Sequence, residues 1–234
     1  MTSVADLKRV AAETAADEVE DGMVLGLGTG STVARFLEAL ARRIRDGELG
    51  DVRGVPTSVR TATEAHSMAI PLTNLDDDPL IQLTVDGADE VEPGLDLIKG
   101  LGGALLREKV VAQASDRLII IADETKLVER LGTRGPVPVE TLPFAMSPVR
   151  RFAEELGAEV TVREEEPDAP YRTDNGNFIL DCRFSDGLDD PEGLDRALKS
   201  RAGVVETGLF LGMADTALVG TEDGVRTLRR PEAP

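Results

Sequence analysis

The first half of the chain alternates short apolar runs with segments of helical periodicity. Runs in which nearly every position is apolar are typical of strands covered on both faces, as in parallel sheets flanked by helices. Strands are predicted at residues 23–27, 52–55, 80–85 and 117–122, and helices at residues 5–20, 33–44, 59–67 and 104–114. The pattern therefore predicts an α/β fold with a Rossmann-like, mostly parallel sheet flanked by helices.

The order of predicted strands and helices changes after residue 131. Strands are predicted at residues 136–140, 159–163, 177–184 and 203–206, and helices at residues 148–156 and 191–200. The order β-α-β-β-α-β is that of the split-βαβ, ferredoxin-like arrangement. We therefore predict a small α+β domain at residues 132–207 and an α/β catalytic domain at residues 1–131 plus 208–234. The runs "GLFLGM", "TALVG" and "GVRTLR" are predicted to be short strands that rejoin the larger domain.

Charge restricts the partners that the chain can have. The formal net charge is −18, and such a surface repels nucleic acid and anionic membranes, so we expect neither as a partner. Only five of the 26 basic residues are lysines, and the aromatic share is 3%. This composition resembles that of proteins from salt-loving organisms and predicts stability that rises with molar salt. An ordinary acidic cytosolic protein remains the alternative.

The chain has one cysteine, Cys182, and one histidine, His66. A single cysteine forms no intrachain disulfide, and these counts argue against Ser-His-Asp catalysis and against multi-histidine metal sites. Cys182 is predicted to be a buried strand thiol, and His66 a surface helix residue. The N-terminal residues carry no long apolar run, so we expect no signal peptide or membrane span and a cytoplasmic location.

Three glycine-rich or charged segments follow predicted strands, which is where ligands bind in open α/β sheets. The first is "GLGTGST", residues 26–32. Glycines let the backbone approach a ligand, and the N-terminus of the following helix favours an anion. The segment lacks the third glycine of a dinucleotide fingerprint and the lysine of a P-loop, so a phosphate monoester site fits best. A plain structural turn is the alternative.

The second segment, "DGADE", places Asp86 and Asp89 directly after a buried strand. Two carboxylates there are suited to binding a cation, orienting sugar hydroxyls or transferring protons. The alternative is a turn with capping aspartates. The third segment, "ADETK", ends in Lys126, which either holds an anion or is a solvated loop lysine. The scarcity of lysine favours the first interpretation, because a compact ammonium is retained where it is required.

The segment "KGLGGALLREK" joins Lys99 to a predicted helix that carries Glu108. The neighbours of Glu108 on the helix face are the small or apolar Ala104, Val111 and Ala112. The sequence therefore predicts that Glu108 does not point into free solvent. A carboxylate in such surroundings tends to have a raised pKa, which suits a general base near neutral pH. The alternative is a partly exposed helix with Glu108 paired to an adjacent basic residue. The run "EEEPD", residues 164–168, is predicted to be a solvated loop.

Taken in order, these segments resemble those of the ribose-5-phosphate isomerase A family. The matching stretches are "GLGTGST", "VDGADEV", "IKGLGGALLREK", "IADETK", "PVPVE", "TDNGN" and "GVVETGLF". The resemblance extends nearly from end to end, and seven ordered motifs are far more specific than one glycine loop. Leu101 stands where many family members have another glycine.

The resemblance implies an aldose–ketose isomerase of the non-oxidative pentose phosphate pathway. Such an enzyme interconverts ribose 5-phosphate and ribulose 5-phosphate through an enediolate, as a homodimer or homotetramer without metal or organic cofactor. Glu108 matches the general base, and Lys99 matches the group that stabilises the oxyanion. Asp86 and Asp89 match residues that hold sugar hydroxyls and assist ring opening. The implied substrate-binding set is Thr29, Gly30, Ser31, Thr32, Asp86, Gly87, Ala88, Asp89, Lys99, Gly100, Gly102, Lys126 and Lys8.

Two other functions are consistent with parts of the pattern. A non-catalytic sugar-phosphate sensor on a related fold normally needs a DNA-binding module, and no stretch of the sequence is left over for one. An amino-sugar-phosphate deaminase or a CoA transferase shares the general architecture, but the combination of "DGADE", "KG" and "REK" is not expected in either. We therefore favour the isomerase over both alternatives.

Overall fold

A computed structural model describes residues 3–230 of the chain. In chain order the elements are α1 (Val4–Asp17), β1 (Val24–Leu27), α2 (Ser31–Arg45), β2 (Arg53–Pro56), α3 (Val59–Ser67), β3 (Leu83–Asp86), β4 (Glu90–Val91), β5 (Leu97–Ile98), α4 (Leu105–Gln113), β6 (Leu118–Asp123), β7 (Val137–Thr141), α5 (Met146–Glu155), β8 (Glu159–Val162), β9 (Glu164–Glu166), β10 (Ala169–Pro170), β11 (Phe178–Arg183), α6 (Pro191–Ser200), β12 (Val204–Thr207), β13 (Leu209–Phe210), β14 (Thr216–Thr221) and β15 (Gly224–Arg229). Short 3₁₀ helices lie at Glu124–Lys126 and Pro143–Ala145. The fold is α/β, as predicted.

The elements group into two compact units. Of the described residues, the first unit comprises residues 3–88, Arg107–Leu127 and residues 212–230. The second comprises Asp89–Leu106 and Val128–Leu211. The first unit therefore contains most residues of the predicted α/β domain, and the second contains the predicted β-α-β-β-α-β domain.

The first unit is built on a six-stranded sheet with the strand order β15-β14-β6-β3-β1-β2. The strands from β14 to β2 are parallel, and β15 pairs with β14 in antiparallel orientation. Every residue of β1, β3 and β6 is buried. This burial agrees with their nearly continuous apolar sequences, because helices cover both faces of a parallel sheet.

The two faces of β1 pack against different helices. Leu25 and Leu27 belong to the large core cluster that includes Phe36 of α2. Val24 belongs to a smaller cluster with Val111 of α4. Successive residues of a strand point to opposite faces, so one short strand anchors helices on both sides of the sheet.

Helix α1 crosses β14 in close contact at Gly220. A methyl group on Gly220 would lie 2.0 Å from the carbonyl oxygen of Leu7. Any side chain there would therefore displace the helix. The start of α1 is fixed by a capping box, in which Ser3 and Asp6 satisfy each other's backbone amides.

The second unit contains a four-stranded antiparallel sheet with the order β12-β7-β11-β8. Helices α5 and α6 contribute Val149, Ala153 and Leu198 to its core cluster, together with Leu180 and Cys182 of β11. This is the predicted ferredoxin-like arrangement. Residues 164–168 were predicted to be a solvated loop, but Glu164–Glu166 form β9, which pairs with β10 just beyond that stretch. All residues of both strands are exposed, as expected for a solvated segment.

A three-stranded sheet, in the order β13-β5-β4, also belongs to the second unit. Its strands have two residues each, too few for a periodic signal in the sequence. Glu90 of β4 accepts backbone hydrogen bonds from Gly132 at 2.7 Å and from Gly135 at 2.7 Å. The glutamate of "DGADE" is therefore a structural residue that fixes a turn.

The sequence predicted the position of most elements to within a few residues, and α3 and α6 match their predicted bounds. The prediction for "GLFLGM" was wrong in one respect. Leu209 and Phe210 pair with β5 in the second unit and do not rejoin the first. The second unit also includes Asp89–Leu106, which the predicted domain division assigned elsewhere, because β4 and β5 pair with β13.

Among residues 3–230, no helix combines the length and apolarity needed to cross a membrane.

Candidate active site

The first unit collects several predicted site residues at one edge of its sheet. Strands β1, β3 and β6 are adjacent and parallel, so their carboxyl ends lie at the same edge. The loop at residues 28–30 follows β1, Asp86 ends β3, and Lys126 follows β6 in a 3₁₀ helix. This edge is the usual position of a ligand site in an open α/β sheet.

Asp86 is buried and holds the 28–30 loop through its carboxylate. Oδ1 accepts the backbone N–H of Thr29 at 3.1 Å and that of Gly87 at 2.7 Å. A methyl group on Gly28 would lie 2.2 Å from the same oxygen, so only glycine permits this approach. The orientation of Asp86 is therefore fixed by two amides and by a glycine.

The hydroxyl of Thr29 lies within a cluster of three others. Its Oγ1 is 2.8 Å from Thr57 Oγ1, 2.9 Å from Ser58 Oγ and 3.0 Å from Thr61 Oγ1. The Thr61 hydroxyl also donates to the carbonyl of Gly28 at 2.8 Å. None of these three partners of Thr29 was predicted from the sequence. Ser58 precedes Thr61 by three positions and caps α3, so the N-cap spacing in "TSVRT" was a signal that placed them together.

Helix α2 begins immediately after the 28–30 loop. Its N-cap is Gly30, with φ of 133° and no side-chain hydrogen bond, so the first helical amides are not capped by this residue. The first turn of a helix carries partial positive charge. Lys8 of α1 adds a full charge there, because its Nζ lies 3.0 Å from Ser31 Oγ. Thr32 is buried one residue further on.

Lys126 lies at the end of a 3₁₀ helix that Asp123 caps. The carboxylate of Asp123 accepts the N–H of Thr125 at 3.0 Å and also its hydroxyl. Lys126 itself is half-buried. In a chain with a net charge of −18, Lys8 and Lys126 are local positive charges on the first unit.

Glu108 lies on α4, and its side chain is only 4% exposed. Val111, one turn further along, packs against Val24, Val55 and Ile81. A methyl group on Gly26 of β1 would lie 2.6 Å from Val111, so the helix lies very close to the strand. The prediction that Glu108 does not point into free solvent is confirmed. Lys109 is also buried, which was not predicted from the sequence.

Lys99 belongs to the second unit and follows β5. It is 2% exposed, and its Nζ lies 5.4 Å from the centre of the Phe210 ring. An aromatic face stabilises a nearby cation through the ring quadrupole. The backbone N–H of Lys99 donates to the carbonyl of Gly208 at 2.9 Å, so the main chain at Lys99 is held by the segment before β13.

The loop at residues 100–103 follows Lys99 within the same unit. Asp89 accepts the N–H of Leu101 at 2.9 Å, and Gly103 donates to the carbonyl of Gly100 at 3.0 Å. Gly100 and Gly103 have φ of 102° and 83°, a region that favours glycine. Gly102 is exposed, and a methyl group on it would meet no atom within 4 Å.

The predicted site residues are thus divided between the units. Those in the first unit are Lys8, Thr29, Gly30, Ser31, Thr32, Asp86, Gly87, Ala88, Glu108 and Lys126, and those in the second are Asp89, Lys99, Gly100 and Gly102. Within the first unit the structure brings Asp86 together with Thr29, and Lys8 with Ser31. Within the second it brings Asp89 to the loop that follows Lys99.

Comparison with known proteins identifies relatives over almost the whole chain. Residues 53–224 match the family model of ribose 5-phosphate isomerase A (phosphoriboisomerase A). A ribose-5-phosphate isomerase A of Desulfatibacillum aliphaticivorans is 50% identical, and the match covers 98% of this chain and 99% of that protein.

Solved structures give the same result. The ribose 5-phosphate isomerase A of Methanocaldococcus jannaschii is 43% identical, with a TM-score of 0.92 over 97% of this chain and 100% of that one. A D-ribose-5-phosphate isomerase in complex with phospho-erythronic acid is 41% identical, with a TM-score of 0.94 over 97% of this chain and 100% of that one. On these matches, and on the motifs whose positions the structure describes, the chain belongs to the ribose 5-phosphate isomerase A family.

Proposed function

We propose that the chain isomerises D-ribose 5-phosphate and D-ribulose 5-phosphate through an enediolate, using Glu108 as the proton carrier. The activity is that of an aldose–ketose isomerase in the non-oxidative pentose phosphate pathway. For this chain the observation that carries the proposal is the burial of Glu108, a carboxylate only 4% exposed on a helix packed against the sheet. A base held away from bulk water retains its proton between removal and return.

The reaction moves one hydrogen between two adjacent carbons. Glu108 removes the proton from C2 of the opened aldose, and the electron pair forms the C1–C2 double bond of the enediolate. The same carboxyl returns the proton to C1, while a proton passes from O2 to O1. Atoms and charge balance without an oxidant or reductant.

Lys99 is proposed to stabilise the negative charge that develops on the oxygen during this step. An ammonium placed where charge develops lowers the barrier, because it interacts more strongly with the transition state than with the substrate. Its burial supports this role, since charges interact more strongly when removed from water. Asp86 and Asp89 are proposed to hold the sugar hydroxyls and to assist ring opening.

The phosphate end of the substrate is proposed to bind Thr29, Gly30, Ser31 and Thr32. Support comes from the start of α2, which has no side-chain cap, and from the ammonium of Lys8 beside Ser31. Lys126 is proposed to reach the phosphate or a nearby hydroxyl. The remaining members of the substrate-binding set, Gly87, Ala88, Gly100 and Gly102, are proposed to contribute backbone groups. The relative solved with phospho-erythronic acid supports a phosphorylated sugar as substrate.

We further propose a cytoplasmic homodimer or homotetramer with no nucleic-acid partner. The exposure of Phe144, at 99%, and of Leu142, at 47%, supports self-association, because large apolar side chains in contact with water favour an interface. Light scattering of the purified chain tests the oligomeric state.

A coupled assay with ribose 5-phosphate tests the function directly. Wild type and the Glu108→Gln variant are compared with and without a chelator, and over a range of salt concentration. We expect Glu108→Gln to lower kcat by about 10³-fold with little change in KM, because the amide no longer accepts the proton. Glu155→Gln, which removes one exposed carboxylate, is the matched control and is expected to retain full activity.

Near-normal turnover of Glu108→Gln would remove Glu108 as the base. Inactivation by the chelator would contradict a metal-independent reaction. Equal activity with unphosphorylated ribose would contradict the phosphate anchor.

A further inference from the structure

Arg163, which directly follows β8, contacts the glycine loop that begins after Lys99. Its Nη1 donates to the carbonyl of Gly100 at 2.8 Å and to that of Leu101 at 3.1 Å. The other two nitrogens of the guanidinium group bind Asp181 of β11. Nε donates to Asp181 Oδ2 at 2.9 Å, and Nη2 donates to Oδ1. All four residues belong to the second unit.

The arrangement uses a property that only arginine has. Its planar guanidinium binds a carboxylate with two nitrogens and keeps a third directed elsewhere, whereas the ammonium of lysine has no fixed fork. The side chains of Arg163 and Asp181 are only 13% and 20% exposed. Charge-assisted hydrogen bonds of this kind are stronger than those at an open surface, because water screens them less.

Tyr171 contacts the other end of the same loop. Its backbone N–H donates to the carbonyl of Arg163 at 2.8 Å, so the two residues lie on neighbouring segments. A methyl group on Gly103 would lie 2.2 Å from the Tyr171 hydroxyl oxygen, so the phenol lies directly against that glycine. Burial raises the pKa of Tyr171, and the phenol therefore stays neutral at physiological pH.

Two motifs of the sequence stabilise this region, although neither supplies a proposed catalytic or substrate-binding residue. The turn "TDNGN" begins two residues after Tyr171, and Glu140 of the "PVPVE" strand binds two of its side chains. Glu140 Oε1 accepts the hydroxyl of Thr173 at 2.9 Å and the side-chain amide of Asn177 at 2.8 Å. Glu140 is fully buried, so these bonds fix the turn that follows Tyr171 in the chain.

We propose that Arg163 is a positioning residue for the isomerisation. It fixes the carbonyls of Gly100 and Leu101 and thereby orients the main chain from which Lys99 extends. Further constraints on this stretch include the bond from the Lys99 N–H to Gly208 and the bond from the Leu101 N–H to Asp89. The inference rests on the proposed function, because a fixed Lys99 matters only if Lys99 acts on the reacting oxygen.

The test uses three variants of the full chain. Arg163→Met removes the donors but leaves the half-buried Asp181 without its arginine partner, which can itself destabilise the unit. The double variant Arg163→Met with Asp181→Leu removes both charges and lets apolar groups fill the space. Arg163→Lys keeps the charge without the fork. Arg151→Met, which breaks an exposed ion pair in the same unit, is the matched control.

Three measurements are made on each variant, and one of them is the melting temperature. The coupled assay gives kcat and KM separately, and hydrogen exchange gives the protection of the amides of Leu101 and Gly103. For the double variant we expect kcat to fall by about 10- to 100-fold with KM within about threefold, because a small misplacement of a catalytic group mainly lowers the rate of the chemical step. The two amides are expected to exchange at least about tenfold faster, while the melting temperature stays near that of wild type. Arg163→Lys is expected to restore part of kcat relative to Arg163→Met.

The outcomes separate the positioning role from the function itself. A double variant that melts and turns over like wild type overturns the role of Arg163 while the isomerase function stands. A fall in kcat without faster exchange of the Leu101 and Gly103 amides also overturns it, because Arg163 then does not affect catalysis by fixing the loop. A wild-type chain that does not isomerise ribose 5-phosphate overturns the function and the positioning role together, and the exchange data then report only on loop structure.

Discussion

The two glycine loops of the chain are similar in sequence but present opposite backbone groups. The loop at residues 28–30 leads into α2, where the first helical amides carry partial positive charge, and Lys8 adds to it. In the loop at residues 100–103 the carbonyls of Gly100 and Leu101 are bound by the guanidinium of Arg163. The first loop is therefore suited to an anion, whereas the second is a rigid support.

The difference shows that a glycine-rich run by itself does not specify a function. Glycine is needed in both loops for the same local reasons, a positive φ and close approach of other groups. A helix follows each loop, and what differs is the charged side chain nearby, which is Lys8 at the first loop and Arg163 at the second. Substitutions at and near the two loops test this distinction, from the largest expected effect on catalysis to the smallest.

Lys99→Met is expected to have the largest effect at the second loop. We expect kcat to fall by about 10²- to 10³-fold with KM within about threefold, because the positive charge acts mainly in the transition state. Steady-state kinetics of the coupled reaction measures both constants. A rise in KM alone would assign Lys99 to substrate binding and would remove the contrast between the two loops.

Lys126→Ala is expected to weaken substrate binding, because Lys126 lies at the same edge of the sheet as the first loop. We expect KM to rise by about tenfold with a smaller change in kcat, because a charge-assisted hydrogen bond to an anion contributes about 1.5–3 kcal/mol. Arg151→Met, which also removes one positive charge but at an exposed position, is the control and is expected to leave KM unchanged. The same tenfold change in kcat instead of KM would contradict the assignment.

Leu101→Gly is expected to change catalysis by less than about threefold. Leu101 contacts Asp89 and Arg163 through its backbone, with the N–H bound by the first and the carbonyl by the second, and its side chain is exposed. The added flexibility of the unfolded chain is expected to lower the free energy of unfolding by about 0.5–1 kcal/mol. Kinetics and urea unfolding measure the two effects. A tenfold loss of kcat would show that the Leu101 side chain itself holds the loop.

A change outside both loops, Cys182→Val, provides the baseline for catalysis and a test of pH dependence. Burial raises the pKa of the Cys182 thiol to about 12. The unfolded thiol ionises near its usual pKa of about 8.5, so above that pH the unfolded state loses protons that the folded state keeps.

The free energy of unfolding of wild type is therefore expected to fall between pH 8 and pH 10 by about 2 kcal/mol more than that of Cys182→Val. Activity at pH 8 is expected to be the same for both chains. Urea unfolding at the two pH values measures the difference, and equal slopes with pH would contradict the burial of the thiol.

Much of the fold followed from local patterns in the sequence. Apolar runs at β3 and β6 predicted buried parallel strands, and the periodicity of residues 191–200 predicted α6. The small neighbours of Glu108 predicted its burial. These predictions succeeded because each depends on residues that are close together in the chain.

Other features could not be predicted in the same way. The strands β4, β5 and β13 have two residues each, and pairing across about one hundred residues decides that they form a sheet. The hydroxyl cluster around Thr29 joins residues about thirty positions apart, and Arg163 lies more than sixty positions from the carbonyls that it binds. Neither relation has a periodic signal.

The sequence by itself determined the α/β class, the family and the residue types that are available for the chemistry. These follow from apolar periodicity and from ordered motifs, which are local properties of the chain. Only the tertiary structure decided that Arg163 binds the carbonyls of the second loop and that Lys8 lies beside the first turn of α2. Both contacts join residues that are far apart in the chain, so long-range packing decides where the side chains of Lys8 and Arg163 lie.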